Sequence, residues 1–365
     1  GGVTCSFTLL SEVVGQRSRG KKVILSMGLL WTAGGLFSAA AAWISFTVVR
    51  PLEWQWRALV MISAAPSVLI LGLFPWLIES PRYHLNLNRE REALATLTKI
   101  DSANNNNNVK GQKRLPANLR LIHHSGKGGS SGNKGGNGKK VLGVWRTLVS
   151  KEYLLTTTLV MALWFLNMGA YFGICFVTPS YFKAMNGNEF LASLIEAAAE
   201  IPGLVAASFL VDWCGRKRTL MGMYACMAVA TAVMSLDEYL PFPALVVAAV
   251  FSRGSADGGI MTLYLYTPEV YKTHVRNVAL GLGSAVSRVA AILASYLSFR
   301  SGAGASGRTA IIVYAVFGLV SGGCAFFLPH ETKDWAVDGD LDDDEEEEEE
   351  QQQQQHQEEK GEGKE

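Results

Sequence analysis

The chain is 365 residues long, 49% hydrophobic and 18% charged, with a formal net charge of +1. Its length would ordinarily suggest two or three soluble domains, a reading that eight long apolar runs exclude. The five cysteines (Cys5, Cys175, Cys214, Cys226 and Cys324) form no Cys-x-x-Cys and accompany no histidine cluster, so a disulfide framework or a zinc site has no support.

Residues 1–11 are apolar and small, and read as the last half of a span that leads into Glu12. The chain opens Gly-Gly-Val-Thr-Cys without a Met, as though cut from something longer. Glu12 is followed seven residues later by Arg19. Two apolar runs come next, 23–49 and 58–78, each about long enough to cross a ~30 Å hydrocarbon layer as helix. They end at the acidic-basic cluster Glu79-Ser-Pro-Arg82. The segment 80–150 is polar. Within it Arg89 to Ile100 reads as a short amphipathic helix with Leu85, Ala93, Leu94, Leu97 and Ile100 on one side. Asn104–Asn108 and 125–140 are of low complexity and read as disordered.

Six further runs follow at 154–178, 190–211, 219–236, 243–266, 278–299 and 309–328. Between the second and third lies Asp212-Trp-Cys-Gly215-Arg216-Lys217-Arg218, a tight basic turn. Glu269 repeats the first signature, with Arg276 again seven residues later, and Glu331-Thr-Lys333 repeats the trailing cluster. Two similar halves of apolar spans are a mark of transporters with internal repeats. The tail 333–365 carries an acidic run from Asp342 to Glu350 and then glutamines, and reads as solvated and disordered. These two polar stretches hold the mean hydropathy down to +0.17. The net charge sums a basic loop and an acidic tail, and so says nothing about partners.

Lys and Arg crowd 1–22, 79–153, 212–218 and 267–277 and are sparse in the alternate connections. The bias assigns those segments and the C-terminus to the cytoplasm. The organisation expected is a first part over 1–79, a central loop over 80–150, a second half over 151–332 and a tail over 333–365.

Ionisable groups inside spans point to function, because each costs about 2.5–3.5 kcal/mol or more at a helix centre unless paired or wet. Glu200, Arg253 and Arg288 each sit ten residues into their runs. Glu196 and Glu200 share one helix face; Glu200 reads either as a proton-carrying acid or as a solvated group, and Glu196, nearer the end, as simply wet. Arg253 and Asp257 are also four apart and can pair, either as a substrate contact or as a neutralised structural pair. Arg288 has no acid within a turn and is the best candidate for substrate recognition. Pro202-Gly203, Gly254 and Gly258-Gly259 beside these charges read either as helix breaks lining a cavity or as close packing. Trp164, Asn167 and Tyr171 recur at 3–4 spacing and fit either a cavity wall or an aromatic packing stripe. Tyr264 and Tyr266 read as interfacial anchors. There is no nucleotide loop, catalytic triad or nucleic-acid motif, so ATP-driven pumping and an enzyme are unsupported and no cofactor is called for.

The chain resembles the major facilitator superfamily, and within it the synaptic vesicle 2-related and organic-ion transporter branch. The residues that carry the likeness are Glu12 to Arg19-Gly20, Trp56-Arg57, Glu79-Ser-Pro-Arg-Tyr83, Ala199-Glu-Ile-Pro-Gly203, Asp212-x-x-Gly-Arg-Lys217, Tyr266-Thr-Pro-Glu-Val-Tyr271, Arg276, Gly281-x-Gly283, Arg288 and Pro329-His-Glu-Thr-Lys333. The resemblance implies an all-α membrane protein of twelve helices in two halves, with one central site and alternating access. Gly1–Thr8 would end helix four, and the eight spans would be helices five to twelve. It also implies a cytoplasmic gate built from Glu269, Arg276, Asp212, Gly215 and Arg216, with Glu331 trailing it, and from Glu12, Arg19, Glu79 and Arg82 in the first half. Arg288 matches a helix-eleven arginine similar to one used by organic-anion members. Asp257 departs from the pattern, standing where small residues are usual.

The expectation is therefore a secondary or facilitative transporter of a small organic ion or metabolite, multi-pass in the plasma membrane or an intracellular vesicle membrane. Proton coupling is an open alternative. Its partners would be the lipid bilayer, the substrate and, with coupling, protons, but no nucleic acid. Substrate would bind near Glu200, Arg253, Asp257, Arg288 and Asn167. The rival expectation is a non-transporting membrane scaffold, a receptor-like relative or an inactive truncated product.

Overall fold

A computed structural model describes residues 6–7, 9–10, 19–73, 79–86, 89–106, 145–151, 153–184, 188–271, 273–301 and 305–333. Every element in them is helical: α1 Arg19–Val48, α2 Leu52–Leu73, α3 Pro81–Asn86, α4 Glu90–Asn106, α5 Leu154–Ala184, α6 Glu189–Trp213, α7 Arg216–Met234, α8 Phe242–Val270, α9 Thr273–Ser301 and α10 Ala305–Phe326. All eight expected spans are thus helical over their described residues; 74–78, the end of the second, lie outside them. Seven are long and apolar enough to cross a membrane. The exception is α7, whose first turn carries Arg216, Lys217 and Arg218.

The backbone explains the choice of helix. Hydrocarbon supplies no partner for peptide N–H and C=O, so a spanning segment must satisfy them within itself. Ends are closed locally where they can be. Asn188 caps α6, its side-chain oxygen accepting from the backbone N–H of Phe190 at 2.9 Å and of Leu191 at 3.2 Å.

Helices α5 to α10 form one packed body. α8 runs through its middle, against α5, α6 and α7, and is buried along most of its length. α9 packs on α5, and α10 on α5 and α7. α1 lies along α6, and α2 packs on α1. The outward faces are apolar, as on Leu69, Ile70, Ile292, Leu293 and Leu319, which suits contact with lipid.

The tightest crossing is between α6 and α8. Ala199, Gly203 and Ala207 face Gly254 and Gly258, and a Cβ on Gly203 would stand 2.0 Å from the Gly254 carbonyl oxygen. Small residues at four-residue spacing let two backbones touch. α6 continues unbroken through Pro202, so close packing, and not a helix break, is what Gly203 serves.

Two expectations about aromatics change. Tyr264 and Tyr266 are buried, not interfacial. Tyr264 stacks on Phe7 with ring centroids 4.5 Å apart and meets Trp164 edge-on at 4.6 Å. The Tyr266 hydroxyl donates to the His330 carbonyl at 3.0 Å. A phenol whose hydroxyl finds a protein acceptor has no need of the water boundary.

The amphipathic helix after the first part is α4, with Ala93, Leu94, Leu97 and Ile100 turned inward. It extends to Asn106, so Asn104–Asn106 form its last turn and are not disordered. The remainder of the low-complexity stretch, 107–144, and the tail beyond Lys333 lie outside the described residues, as does Glu12.

Candidate functional site

Glu200, Tyr171, Thr32 and Asp257 lie within two residues of the midpoints of α6, α5, α1 and α8. Four helices therefore deliver polar groups to one depth, the middle of the apolar layer. Glu200 is the hub. Its Oε1 accepts from Arg253 Nη2 at 2.6 Å and from the Tyr171 hydroxyl at 2.8 Å, and its Oε2 accepts from the Thr32 hydroxyl at 3.1 Å. Trp31 Nε1 donates to the Tyr171 oxygen at 2.8 Å. Arg253 also donates to the Tyr171 carbonyl at 3.0 Å and sits 3.7 Å from the centre of that ring. The guanidinium thus combines an ion pair with a cation–π contact.

The expected pairing of Arg253 with Asp257 on one helix is corrected: Arg253 pairs with Glu200 across the α6–α8 crossing. The Gly203–Gly254 contact brings the two backbones so near that the interhelical partner is in reach. Asp257 is left fully buried, with neither carboxylate oxygen hydrogen-bonded among the described residues. It lies within electrostatic range of both Glu200 and Arg253. Glu196 is also buried, not wet, and its Oε1 has no hydrogen-bond partner among the described residues.

Arg253, Asp257 and Tyr264 follow one face of α8. Arg288, near the midpoint of α9, is exposed and forms no ion pair among the described residues; its charge acts on Tyr264. Asn167 is placed elsewhere. It is buried against α7, donating to the Tyr224 hydroxyl at 3.2 Å. Trp164 is likewise a packing residue, its indole N–H bonded to Thr267 at 3.1 Å. Of the 3–4 spaced trio only Tyr171 joins the central cluster. Trp31 and Thr32 were not visible as members, because Trp and Thr are ordinary residues in a membrane span.

A second network closes one end of the bundle. Arg216 holds Glu269 through two bonds, Nε to Oε2 at 2.9 Å and Nη2 to Oε1 at 3.0 Å, the planar fork that favours arginine over lysine. The Thr332 hydroxyl donates to the same carboxylate at 2.7 Å. Two other carboxylates sit at helix starts, where free N–H groups and the helix dipole favour an anion. Glu331 accepts from the backbone N–H of Arg216 at 2.7 Å and of Lys217 at 3.2 Å. Asp212 accepts from the N–H of Lys21 at 3.3 Å, at the start of α1. Gly20 permits this approach, since a Cβ there would meet the Asp212 carboxylate at 2.7 Å.

Gly215 has φ +94°, and a Cβ there would lie 2.6 Å from the Glu331 carboxylate. Gly215→Ala is therefore expected to cost about 1–3 kcal/mol, read as a lowered melting temperature in detergent. Arg276 is buried at this end of α9. Glu79 is exposed and joins no ion pair among the described residues. The side chains of Arg19 and Arg82 lie outside the described residues.

Residues 1–337 match the family described as sugar (and other) transporter. The chain is 29% identical over 357 residues to organic cation/carnitine transporter 7 of Arabidopsis thaliana, covering 88% of this chain and 69% of that one. It is 27% identical over 361 residues to the synaptic vesicle 2-related protein of Xenopus laevis, covering 91% of this chain and 60% of the relative. The chain thus spans 60–69% of the length of these two relatives. Its fold is similar to that of the major facilitator proton:xylose symporter XylE bound to 6-bromo-6-deoxy-D-glucose. The TM-score is 0.63 at 16% identity, over 91% of this chain and 68% of that structure. An all-α, multi-pass architecture and a relative named as a transporter, not an enzyme, agree with the match, and the chain belongs to the sugar (and other) transporter family of the major facilitator superfamily.

Proposed function

We propose that the chain forms the pathway for a small organic cation, which binds at the middle of the membrane with its ammonium group on Asp257. The observation that carries this is a fully buried carboxylate with both oxygens free of hydrogen bonds among the described residues. Glu200 and Arg253 neutralise one another, so the buried acids left without a hydrogen-bonded cation among the described residues are Asp257, at the centre, and Glu196, one turn from Glu200. A lone carboxylate in hydrocarbon is stable only with a proton or a cation beside it. Exchange of one for the other would couple a proton to the organic cation. The name of the Arabidopsis relative, an organic cation/carnitine transporter, supports the substrate class. Arg288, exposed near Tyr264, would receive the acidic end of a zwitterionic substrate.

The same cluster suits alternating access. Trp31 and Thr32 on α1 bond to Tyr171 and Glu200 on α5 and α6. The Asp212 contact with α1 and the Arg216–Glu269 pair would break and re-form at the cytoplasmic end as the halves rock.

The test is binding of radiolabelled tetraethylammonium to the protein in nanodiscs, with released protons followed by a pH dye. Asp257→Asn is expected to weaken binding at least about thirtyfold, as loss of a buried charge partner does, and to abolish proton release. Binding that survives Asp257→Asn unchanged refutes the assignment. An anion whose binding is lost with Arg288→Ala would replace it.

A further inference from the structure

The turn joining α6 to α7 opens into a cleft of about 500 Å3 that the substrate reading does not use. Trp213, Met221 and Phe326 form its apolar wall, and Lys217, Arg218 and Lys333 its charged one. Glu331 also lines it, but its oxygens are taken up by the backbone N–H groups of Arg216, Lys217 and Lys333. Among the described residues the Lys217 ammonium donates only to the Leu328 carbonyl, at 2.6 Å, and the Lys333 ammonium only to the Trp213 carbonyl, at 3.0 Å. Arg218 is exposed. None of the three cations forms an ion pair among the described residues.

Among the described residues the cleft therefore holds three cations to one carboxylate, none of the three in an ion pair, and its rim is greasy. Trp213 is 77% exposed and Phe326 58%, at the ends of helices long and apolar enough to span the bilayer. Leu319, also exposed, lies two turns above Phe326 on the same face of α10. A soluble anion would use the cations and leave that apolar track idle. A ligand with an anionic head and hydrocarbon chains uses both.

We propose that this cleft binds the headgroup of an anionic phospholipid, with its phosphate on Lys217, Arg218 and Lys333 and its chains along α10. The charge distribution of the sequence assigns this end to the cytoplasmic side, where anionic lipids concentrate.

The test is native mass spectrometry of the full chain in detergent, titrated with phosphatidylserine or phosphatidylcholine. Phosphatidylserine is expected to be retained preferentially. Arg218→Gln, which removes no hydrogen bond or ion pair among the described residues, should lower that retention about fivefold and leave phosphatidylcholine unchanged. Adding Lys217→Gln and Lys333→Gln should erase the preference. Phosphatidylserine retention that is equal in the wild type and both variants overturns the proposal. So does its displacement by equimolar glycerophosphoserine, which would mark a soluble-anion site. Retention seen only in a chain ending at Lys333 overturns it too, since the acidic segment beyond would then be the occupant.

Discussion

Glu200→Ala is expected to destabilise the protein by about 3–5 kcal/mol, the cost of stranding a buried charge. Arg253 would keep its guanidinium in the middle of the bundle without a carboxylate at 2.6 Å, and the Tyr171 and Thr32 hydroxyls would lose their acceptor at the same time. The measurement is thermal unfolding in detergent. Replacing both partners, Glu200→Gln with Arg253→Met, should recover part of the loss, because a neutral pair of similar volume strands no charge of its own, although Asp257 then loses the arginine within its electrostatic range. Asp257 provides an internal control. It stands within electrostatic range of Arg253, so in the Glu200→Ala background it remains, with Glu196, as an acid that can still act on that arginine. Asp257→Asn should then cost more than it does in the wild type, a non-additivity of about 1 kcal/mol or more. Additive effects would mean that the two acids do not share the arginine.

The second large effect is expected at the α6–α8 crossing. A side chain at Gly203 meets backbone, not a flexible neighbour: its Cβ would be 2.0 Å from the Gly254 oxygen. The helices must move apart, and the Glu200–Arg253 pair that spans them is lost with the contact. Gly203→Ala is expected to cost at least the roughly 1–3 kcal/mol of an overpacked core, and Gly203→Val to prevent recovery of folded protein. Gly281→Ala and Gly323→Ala serve as controls. Both sites are helical and nothing lies within 4 Å of the added Cβ, so these changes should be neutral, or stabilising by up to about 1 kcal/mol through helix propensity. Equal losses at all three positions would show that glycine is needed for something other than the crossing.

Much of the fold was legible in the residues. Eight apolar runs became eight helices, since length and hydropathy alone decide what can lie in hydrocarbon with its peptide groups satisfied. Arg216 and Glu269 could be singled out from repeated motifs, because a tight turn with a positive φ needs Gly215 and an end network needs charges at fixed offsets. The central cluster was legible only in part. Glu200, Arg253 and Asp257 were conspicuous as charges inside spans, but their pairing was not. Spacing along one helix favours Arg253 with Asp257; the crossing of two helices joins Arg253 to Glu200.

The sequence by itself determined the class of protein, the spans, the depth of the ionisable groups and their membership of one superfamily, all of which depend on local composition and period. The tertiary structure alone decided which charges meet. It buried Tyr264 and Tyr266, moved Asn167 to the α7 side and recruited Trp31 and Thr32. It also left Asp257 without a hydrogen-bond partner among the described residues. The physical reason is that in a bundle of parallel rods a side chain's partner is set by interhelical distance and rotation. Here those are fixed by small residues such as Gly203 and Gly254, whose effect lies in what they allow to approach.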